Sequence, residues 1–419
     1  MAKGDMYLAQ ASDEEILKRG ESGGAVTALL KFALESGVVD AVLGVKKRDG
    51  NNRYDAVLDL ITNPEKVIDC AGSLHCVSLN IARNVKEYLD GAKQMKIAVP
   101  CKPCDARAVI EIAKRKQINR DNLLLIGLNC TGTLPPVVAK EMLIGEYEVD
   151  PNEVVMEDIE GGELIISLAD GTKIAKNLLE LEKKGYGRKD NCRRCNVNIP
   201  TMADIACGKW GVKEGEKKTF TEVCSDKGAE FIDNAIKTGV IKVEPPGEDA
   251  ITGRKRKDRE AIELSNKCEA EDLKELRGFS LDDRLAYWLH MFDRCIKCFS
   301  CRDACPICYC KKCFLEPDRG YVKGGEVPPD RMFHLTRLAH DGDSCVNCGQ
   351  CQDACPAEIP LTRLYLMLNI KLSPMFDYVS GMDVEQKPPL IAAKDEEASI
   401  DDIDIFLVKG EASEVVPQQ

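Results

Sequence analysis

Twice in this chain four cysteines are spaced C-x2-C-x2-C-x3-C and followed by proline. Cys295, Cys298, Cys301 and Cys305 precede Pro306, and Cys345, Cys348, Cys351 and Cys355 precede Pro356. A loop of this spacing wraps three thiolates around one cubane, and the fourth cysteine, leaving on the next helix, reaches the other cluster of a pair. The spacing therefore predicts one 4Fe–4S cluster on Cys295, Cys298, Cys301 and Cys355. A second is expected on Cys345, Cys348, Cys351 and Cys305. Structural zinc is the poorer reading, because zinc sites use paired C-x2-C elements rather than this doubled run. Two clusters in one small region mean electron transport.

The chain holds 21 cysteines in 419 residues. Disulfides are rare inside cells, so these thiols read as metal ligands. A net charge of −12 and 5% aromatics disfavour nucleic acid as a partner. No apolar run reaches the ~18 residues of a membrane-spanning helix. The opening MAKGDMYLAQ lacks the apolar core of a signal peptide. A cytoplasmic protein without a membrane span is the expectation. The length suggests two to three domains.

The pattern divides near residue 265. Residues 1–264 alternate strand and helix, as an α/β domain would. Residues 265–375 carry the cysteine runs between helical stretches. Residues 376–419 read as an acidic tail, either loosely ordered or a docking segment, with Asp395, Glu396, Glu397, Asp401, Asp402 and Asp404. In the first part, Ser12 and Glu15 form a capping-box pattern. After Ser22-Gly23-Gly24, the residues Val26, Leu29, Leu30, Ala33 and Leu34 make one helix face, Gly37 suits its C-terminus, and 38–45 reads as a buried strand.

A short strand at 97–99, a loop holding Cys101 and Cys104, a helix over 105–116 and a strand over 123–128 form a crossover unit. Such units join parallel strands, whose carboxyl edge is the usual ligand site. Cys104 and Cys130 should therefore be neighbours. Residues 163–169 and 172–178 flank Asp170-Gly171 and read as a hairpin. Residues 247–260, with Arg254-Lys255-Arg256-Lys257, read as an exposed connection.

In the second part, Ser280 caps a helix whose apolar face is Leu281, Leu285, Trp288, Leu289 and Phe292. Met332, Leu335 and Leu338 mark another helix, and 361–368 a third. An α-helical ferredoxin-like domain follows. Cys308, Cys310 and Cys313, with Cys268 as a fourth ligand, read as a further metal site, or else as supporting or free thiols.

Cys192 and Cys195 form a lone C-x2-C, which by itself fits zinc, redox or cluster roles. Other motifs surround it in order. These are Ser22-Gly23-Gly24-Ala25-Val26-Thr27, Ala71-Gly72-Ser73, Lys102-Pro103-Cys104-Asp105, Gly127-Leu128-Asn129-Cys130-Thr131-Gly132, and Ala203-Asp204-Ile205 through Gly208. The ordered set resembles the beta subunits of deazaflavin-dependent hydrogenases and dehydrogenases over most of residues 15–215. With the two-cluster region attached, the chain is similar to the beta subunits of the coenzyme F-420-dependent formate dehydrogenases of methanogens.

The resemblance implies FAD and one further 4Fe–4S cluster in the sheet domain, hence three clusters, with a fourth metal site open. It implies hydride exchange with F-420 and a partner alpha subunit bearing the molybdenum or tungsten pterin that oxidises formate. The resemblance also admits, as a further expected partner, a larger electron-transfer assembly such as one with heterodisulfide reductase. By motif match Cys104, Cys130, Cys192 and Cys195 are the ligands, with Cys101 competing. Ser22, Gly23, Gly24 and Thr27 line the flavin site, with Ser73, Asn129 and Thr131 as further candidates. The match departs at Cys76 and Cys207, which read as small buried residues.

Paired glycines let backbone approach a cofactor, and the helix start beyond them offers free N–H groups; a plain glycine turn is the alternative. There is no G-x-G-x-x-G and no P-loop, which lowers the expectation of nicotinamide or ATP. A hydride carries an electron pair and a cubane passes one electron, so a flavin between them is sensible chemistry. No side chain is expected to be catalytic. His75, His290, His334 and His340 show no catalytic spacing and read as packing or surface residues. Lys183, Lys184, Arg188, Lys189, Arg193 and Arg194 either steer the anionic F-420 or form a solvated loop. Competing functions are the beta subunit of an F-420-reducing hydrogenase or F-420 oxidoreductase, and a pure iron–sulfur electron conduit.

Overall fold

A computed structural model describes residues 1–48, 53–74, 79–320 and 326–392. His75, Cys76 and the acidic run from Asp395 to Asp404 lie outside the described residues. The strands are Met6–Ala11 (β1), Ala41–Lys47 (β2), Ala56–Ile61 (β3), Ile97–Cys101 (β4), Leu123–Leu128 (β5), Val154–Glu160 (β6), Glu163–Leu168 (β7), Lys173–Asn177 (β8), Ile205–Gly208 (β9), Thr219–Val223 (β10) and Ile241–Glu244 (β11). In the first half of the chain the helices are Glu14–Arg19 (α1), Ala25–Glu35 (α2), Ile81–Tyr88 (α3), Pro103–Lys114 (α4), Pro136–Met142 (α5), Leu178–Lys183 (α6) and Asp190–Arg193 (α7). They continue with Asp226–Lys237 (α8), Glu248–Asp272 (α9), Lys274–Gly278 (α10), Leu281–Phe292 (α11), Ser300–Asp303 (α12), Arg331–Asp341 (α13), Gln350–Asp353 (α14) and Leu361–Phe376 (α15).

The main sheet runs β11-β1-β10-β9-β5-β4-β2-β3. Its centre, β2, β4, β5 and β9, is parallel, and its flanks are antiparallel. Alternation along β4 and β5 explains its two covered faces. Ile97, Val99, Leu123 and Leu125 pack with Ile81 and Val85 of α3 and Val109 and Ile112 of α4. Ala98, Leu124 and Ile126 pack with Leu29 and Phe32 of α2 and Phe231 and Ile232 of α8. Strands β6, β7 and β8 form a separate antiparallel sheet, with β7 and β8 the expected hairpin.

The cysteine-rich region docks on the α3–α4 face. Ile307 and Val346 enter that aliphatic cluster, with Cys305, Cys345 and Cys348 packed against it. Among the described residues no helix is long and apolar enough to cross a membrane.

Several expectations need correcting. Asp13, not Ser12, caps α1, its carboxylate accepting from the N–H groups of Glu15 at 2.9 Å and Ile16 at 3.1 Å. Residues 247–260 are largely exposed as expected, but they are helix rather than a connection. They open the 25-residue helix α9, which also runs through the 264/265 division. Two of its charges are held, Arg254 by Glu222 at 2.6 Å and Lys257 by Glu160, while Lys255 and Arg256 are exposed.

Helix α11 is capped by Ser280 as expected, yet Leu281 and Leu285 are 81% and 55% exposed while Trp288 and Phe292 are buried. Helix α13 buries Phe333, His334, Arg337 and Asp341 and exposes Met332 and Leu335. The helix is there as expected, and its inward face serves the cysteine cavities. His334 stacks on Phe292 at 4.1 Å, a packing role as expected. The described part of 376–419 is docked, the second of the two expected alternatives. Tyr378 accepts from Lys114 Nζ at 2.8 Å, and Gly381 N–H donates to Glu111 at 2.6 Å.

Candidate cofactor cleft and cysteine chain

A cleft opens at the carboxyl ends of β2, β4, β5 and β9, enclosing about 1630 Å³ with its open mouth. Helix α2 points its N-terminus into it. Gly24 begins that helix in the left-handed conformation (φ 68°), and no side chain caps the first turn. The free N–H groups and the helix dipole there favour an anionic group. Asn129 lines the cleft, and both polar atoms of its amide are buried without a partner. Leaving them unmet costs on the order of 1–3 kcal/mol, which a ligand rich in donors and acceptors removes. These features fit a nucleotide-bearing cofactor.

Ser22, Gly24, Thr27, Ser73, Asn129 and Thr131 all line the cleft. Gly23 supports the wall from behind: its N–H donates to Thr219 Oγ1 at 3.1 Å. A Cβ on Gly23 would lie 2.5 Å from the Ala9 carbonyl and 2.8 Å from the Thr219 nitrogen, both backbone. Gly23→Ala is therefore expected to cost about 1–3 kcal/mol through overpacking. A chemical-denaturation midpoint equal to that of the native protein would contradict this.

Sequence reasoning missed Lys102, Asp158, Lys209 and Trp210 as lining residues. Lys102 was visible inside its motif, but its direction was not. Asp158 comes from the small sheet and pairs with Lys209, closing one side of the cleft. Nothing local in the sequence announces that pairing.

Two motif carboxylates prove to be scaffolding. Asp105 Oδ1 accepts from Ile81 N–H and Oδ2 from Lys102 N–H, each at 3.0 Å, fixing the start of α4 that carries Cys104. Asp204 accepts from Leu125 N–H at 2.8 Å and pairs with Arg120 at 2.9 Å, binding β9 to β5.

Four of the expected ligands gather beside the cleft. Cys130 lines it and lies in the field of Cys192 and Cys195. Cys104 lies in the field of Cys130 and Cys348. Burial, then Cys192, push the Cys130 thiol up to about 12. A bound metal would reverse that preference, because the ligand is the thiolate. Cys101 is packed in the aliphatic cluster, where the charges acting on it are Asp105, Arg120, Asp204 and Lys102. Cys207 is buried on β9, 3.9 Å from Thr221 Oγ1, a small buried residue as expected, although it also lies in the cleft wall.

The two C-terminal runs fold alike. Lys297 and Asn347 take positive φ (54° and 52°), as do Phe299 (60°) and Gly349 (80°). The N–H groups of Lys297 and Asn347 each donate 3.4 Å to the first sulfur of their run. Cys305, Cys345, Cys348 and Cys351 line one cavity of about 400 Å³. Cys295, Cys298, Cys301 and Cys355 line another of about 350 Å³. Each cavity thus draws three cysteines from one run and the last cysteine from the other.

Cys268 lies on the sheet-domain side, its Sγ 4.0 Å from Arg188, which also feels Cys192. Cys308 and Cys310 lie by Asp341. Among the described residues no three His, Cys, Asp or Glu side chains stand at single-ion distance.

The basic stretch divides: Lys183 and Lys184 are exposed, as a solvated loop would have them, and pair with Glu180 and Glu146 at 2.7 Å, whereas the four later cations neither line the cleft nor stand free in solvent. Arg188 pairs with Glu182 at 2.7 Å, Lys189 pairs with Asp353, and Arg193 reaches Asp272 at 3.3 Å. Arg194 is fully buried between Asp190 at 2.7 Å and Asp272 at 2.6 Å. These ion pairs rivet α7, with Cys192, to α9 and to the ferredoxin-like region.

A mixed α/β region with a cleft at the carboxyl ends of its parallel strands, joined to a cysteine-lined helical module, defines a redox subunit class. Residues 6–83 and 94–249 match the N-terminal and C-terminal parts of the family described as coenzyme F-420 hydrogenase/dehydrogenase, beta subunit. Residues 291–359 match a 4Fe–4S dicluster domain. The chain belongs to the family of F-420-dependent formate dehydrogenase beta subunits. It is 45% identical to the beta subunit of F-420-dependent formate dehydrogenase 1 of Methanococcus maripaludis, over 92% of this chain and 97% of that protein. It is also 45% identical to the corresponding subunit of Methanocaldococcus jannaschii, over 91% and 98%. A solved chain of the F-420-reducing NiFe hydrogenase complex of Methanosarcina barkeri shares the fold, with a TM-score of 0.54 and 22% identity over 65% of this chain and 93% of that one.

Proposed function

We propose that this subunit exchanges hydride between coenzyme F-420 and FAD in the cleft, and passes single electrons through three 4Fe–4S clusters to or from a pterin-bearing, formate-oxidising partner subunit. The observation that carries the reading is a continuous line of cysteines. It begins in the cleft wall at Cys130, continues through Cys104 into the field of Cys348, and from Cys351 into the field of Cys301. When bound, the flavin accepts an electron pair and releases electrons singly, and the clusters carry them one at a time.

The chain's own residues do the positioning. The α2 N-terminus and Thr27 receive the anionic part of FAD, and Asn129 meets a polar edge. The Lys209–Asp158 pair narrows the cleft against water. Cys104, Cys130, Cys192 and Cys195 hold the first cluster at the cleft wall. The exposed Cys298, in the last set, is where electrons meet the partner. Anaerobically purified protein is expected to retain FAD together with iron for three clusters. Asn129→Leu should weaken FAD binding about tenfold, the worth of one net hydrogen bond of about 1.4 kcal/mol. A cluster-loaded chain that takes up no flavin would overturn the reading.

A further inference from the structure

Helix α13 buries an arginine between the two cysteine-lined cavities. Arg337 is 5% exposed. Its Nη1 donates to Cys301 Sγ, and its Nη2 donates to the Cys301 carbonyl at 3.2 Å. The same side chain lines the other cavity, with Cys305, Cys345, Cys348 and Cys351. Its carboxylate partner, Asp341, is more distant, at 3.8 Å. Tyr365 also lies beside it.

Burying a guanidinium is costly unless its charge is answered. A single carboxylate at that distance answers it in part. The sulfur-rich surroundings supply the rest, and they become more negative whenever an electron arrives.

We propose that Arg337 is a shared charge-tuning residue of the dicluster domain, holding a fixed cation between both cysteine sets and raising the reduction potentials of the clusters bound there. The inference rests on the two-cluster reading above. Arginine keeps its charge at every working pH. A hydrogen bond to a cluster sulfur and a nearby positive charge both stabilise the reduced form, and the effect is strong where water is excluded. Placed between the sets, one cation also screens the repulsion between an electron on one cluster and an electron approaching the other. Asp341 weakens the effect without cancelling it, because Cys301 is nearer.

The test is a redox titration of the cluster-loaded protein followed by electron paramagnetic resonance. At a potential that half-reduces the native clusters, Arg337→Gln is expected to lower the reduced-to-oxidised ratio about tenfold for the Cys295 set, about 59 mV for one electron. A smaller shift of the same sign is expected for the Cys345 set. Arg337→Lys, which keeps the charge, should recover most of the difference. Arg337→Gln with both clusters present and unmoved potentials overturns the proposal. Native protein lacking two cluster signals from this domain overturns the two-cluster reading instead. Should Arg337→Gln fail to load iron, Asp341→Asn decides. It removes the countercharge and leaves Arg337, so potentials must rise; an unchanged or lower potential overturns the proposal.

Discussion

Replacing Cys130 by serine is expected to cut the cleft off from the rest of the chain. With reduced F-420, the flavin of Cys130→Ser should still bleach, while reduction of the C-terminal clusters slows by at least about 100-fold. Loss of groups that merely support ligands costs 10–100-fold, and a lost ligand costs more. Cys130 is the cysteine of the first set that also lines the cleft. Serine is nearly isosteric, and the Cys130 N–H bond to the Asn198 carbonyl at 2.9 Å does not involve the sulfur, so the fold should persist. Cys101→Ser is the control. Cys101 is 1% exposed in the aliphatic cluster, and its replacement should leave iron content and electron flow intact. Rapid cluster reduction in Cys130→Ser would refute the assigned route.

Arg194→Met is expected to remove about 3 kcal/mol of stability, because it takes the buried cation from between the part-buried Asp190 and Asp272 and leaves them only Arg363 at 3.4 Å and Arg193 at 3.3 Å. Arg194 Nη1 and Nη2 bond Asp190 at 2.9 and 2.7 Å, Nη1 bonds Asp272 at 2.6 Å, and Nη2 bonds Thr362 at 3.0 Å. These contacts join α7, α9 and α15. Burial works to raise the Asp190 pKa, but Arg194 outweighs it and holds the carboxyl well below the usual range. A carboxylate depressed in the folded state contributes stability above its unfolded pKa of about 3.9 and loses it as pH falls through the folded value. The gap between native and Arg194→Met should therefore be widest near neutral pH and close below about pH 4. Denaturation midpoints across pH check this, and a gap that widens in acid would contradict it.

The parts of the fold legible in the sequence are those set by short-range pattern. The doubled cysteine spacing marks the dicluster domain, and the alternation of Ile97 to Val99 and Leu123 to Ile126 marks parallel strands covered on both faces. The glycines before α2 mark a cleft wall, although Gly23 supports rather than lines it. Hidden from sequence were charges whose partners are distant in the chain. Arg254 reads as solvated until Glu222 meets it, and Arg194 until Asp272 does. Helix α13 is marked as a helix, but its facing stays hidden for a related reason: its buried side carries Arg337 and Asp341, polar residues that line a cysteine cavity. The cleft's small-sheet wall, with Asp158, escaped because tertiary packing alone brings it there.

The central claim is that the hydride site lies in this subunit and feeds its clusters. Mixing the anaerobic, cofactor-loaded chain with reduced F-420 while following the deazaflavin, flavin and cluster absorbances tests it most directly. Oxidation of F-420 with bleaching of flavin first and clusters afterwards is the predicted result. A chain that holds flavin and clusters yet leaves reduced F-420 untouched would contradict the account and mark the subunit as an electron conduit alone.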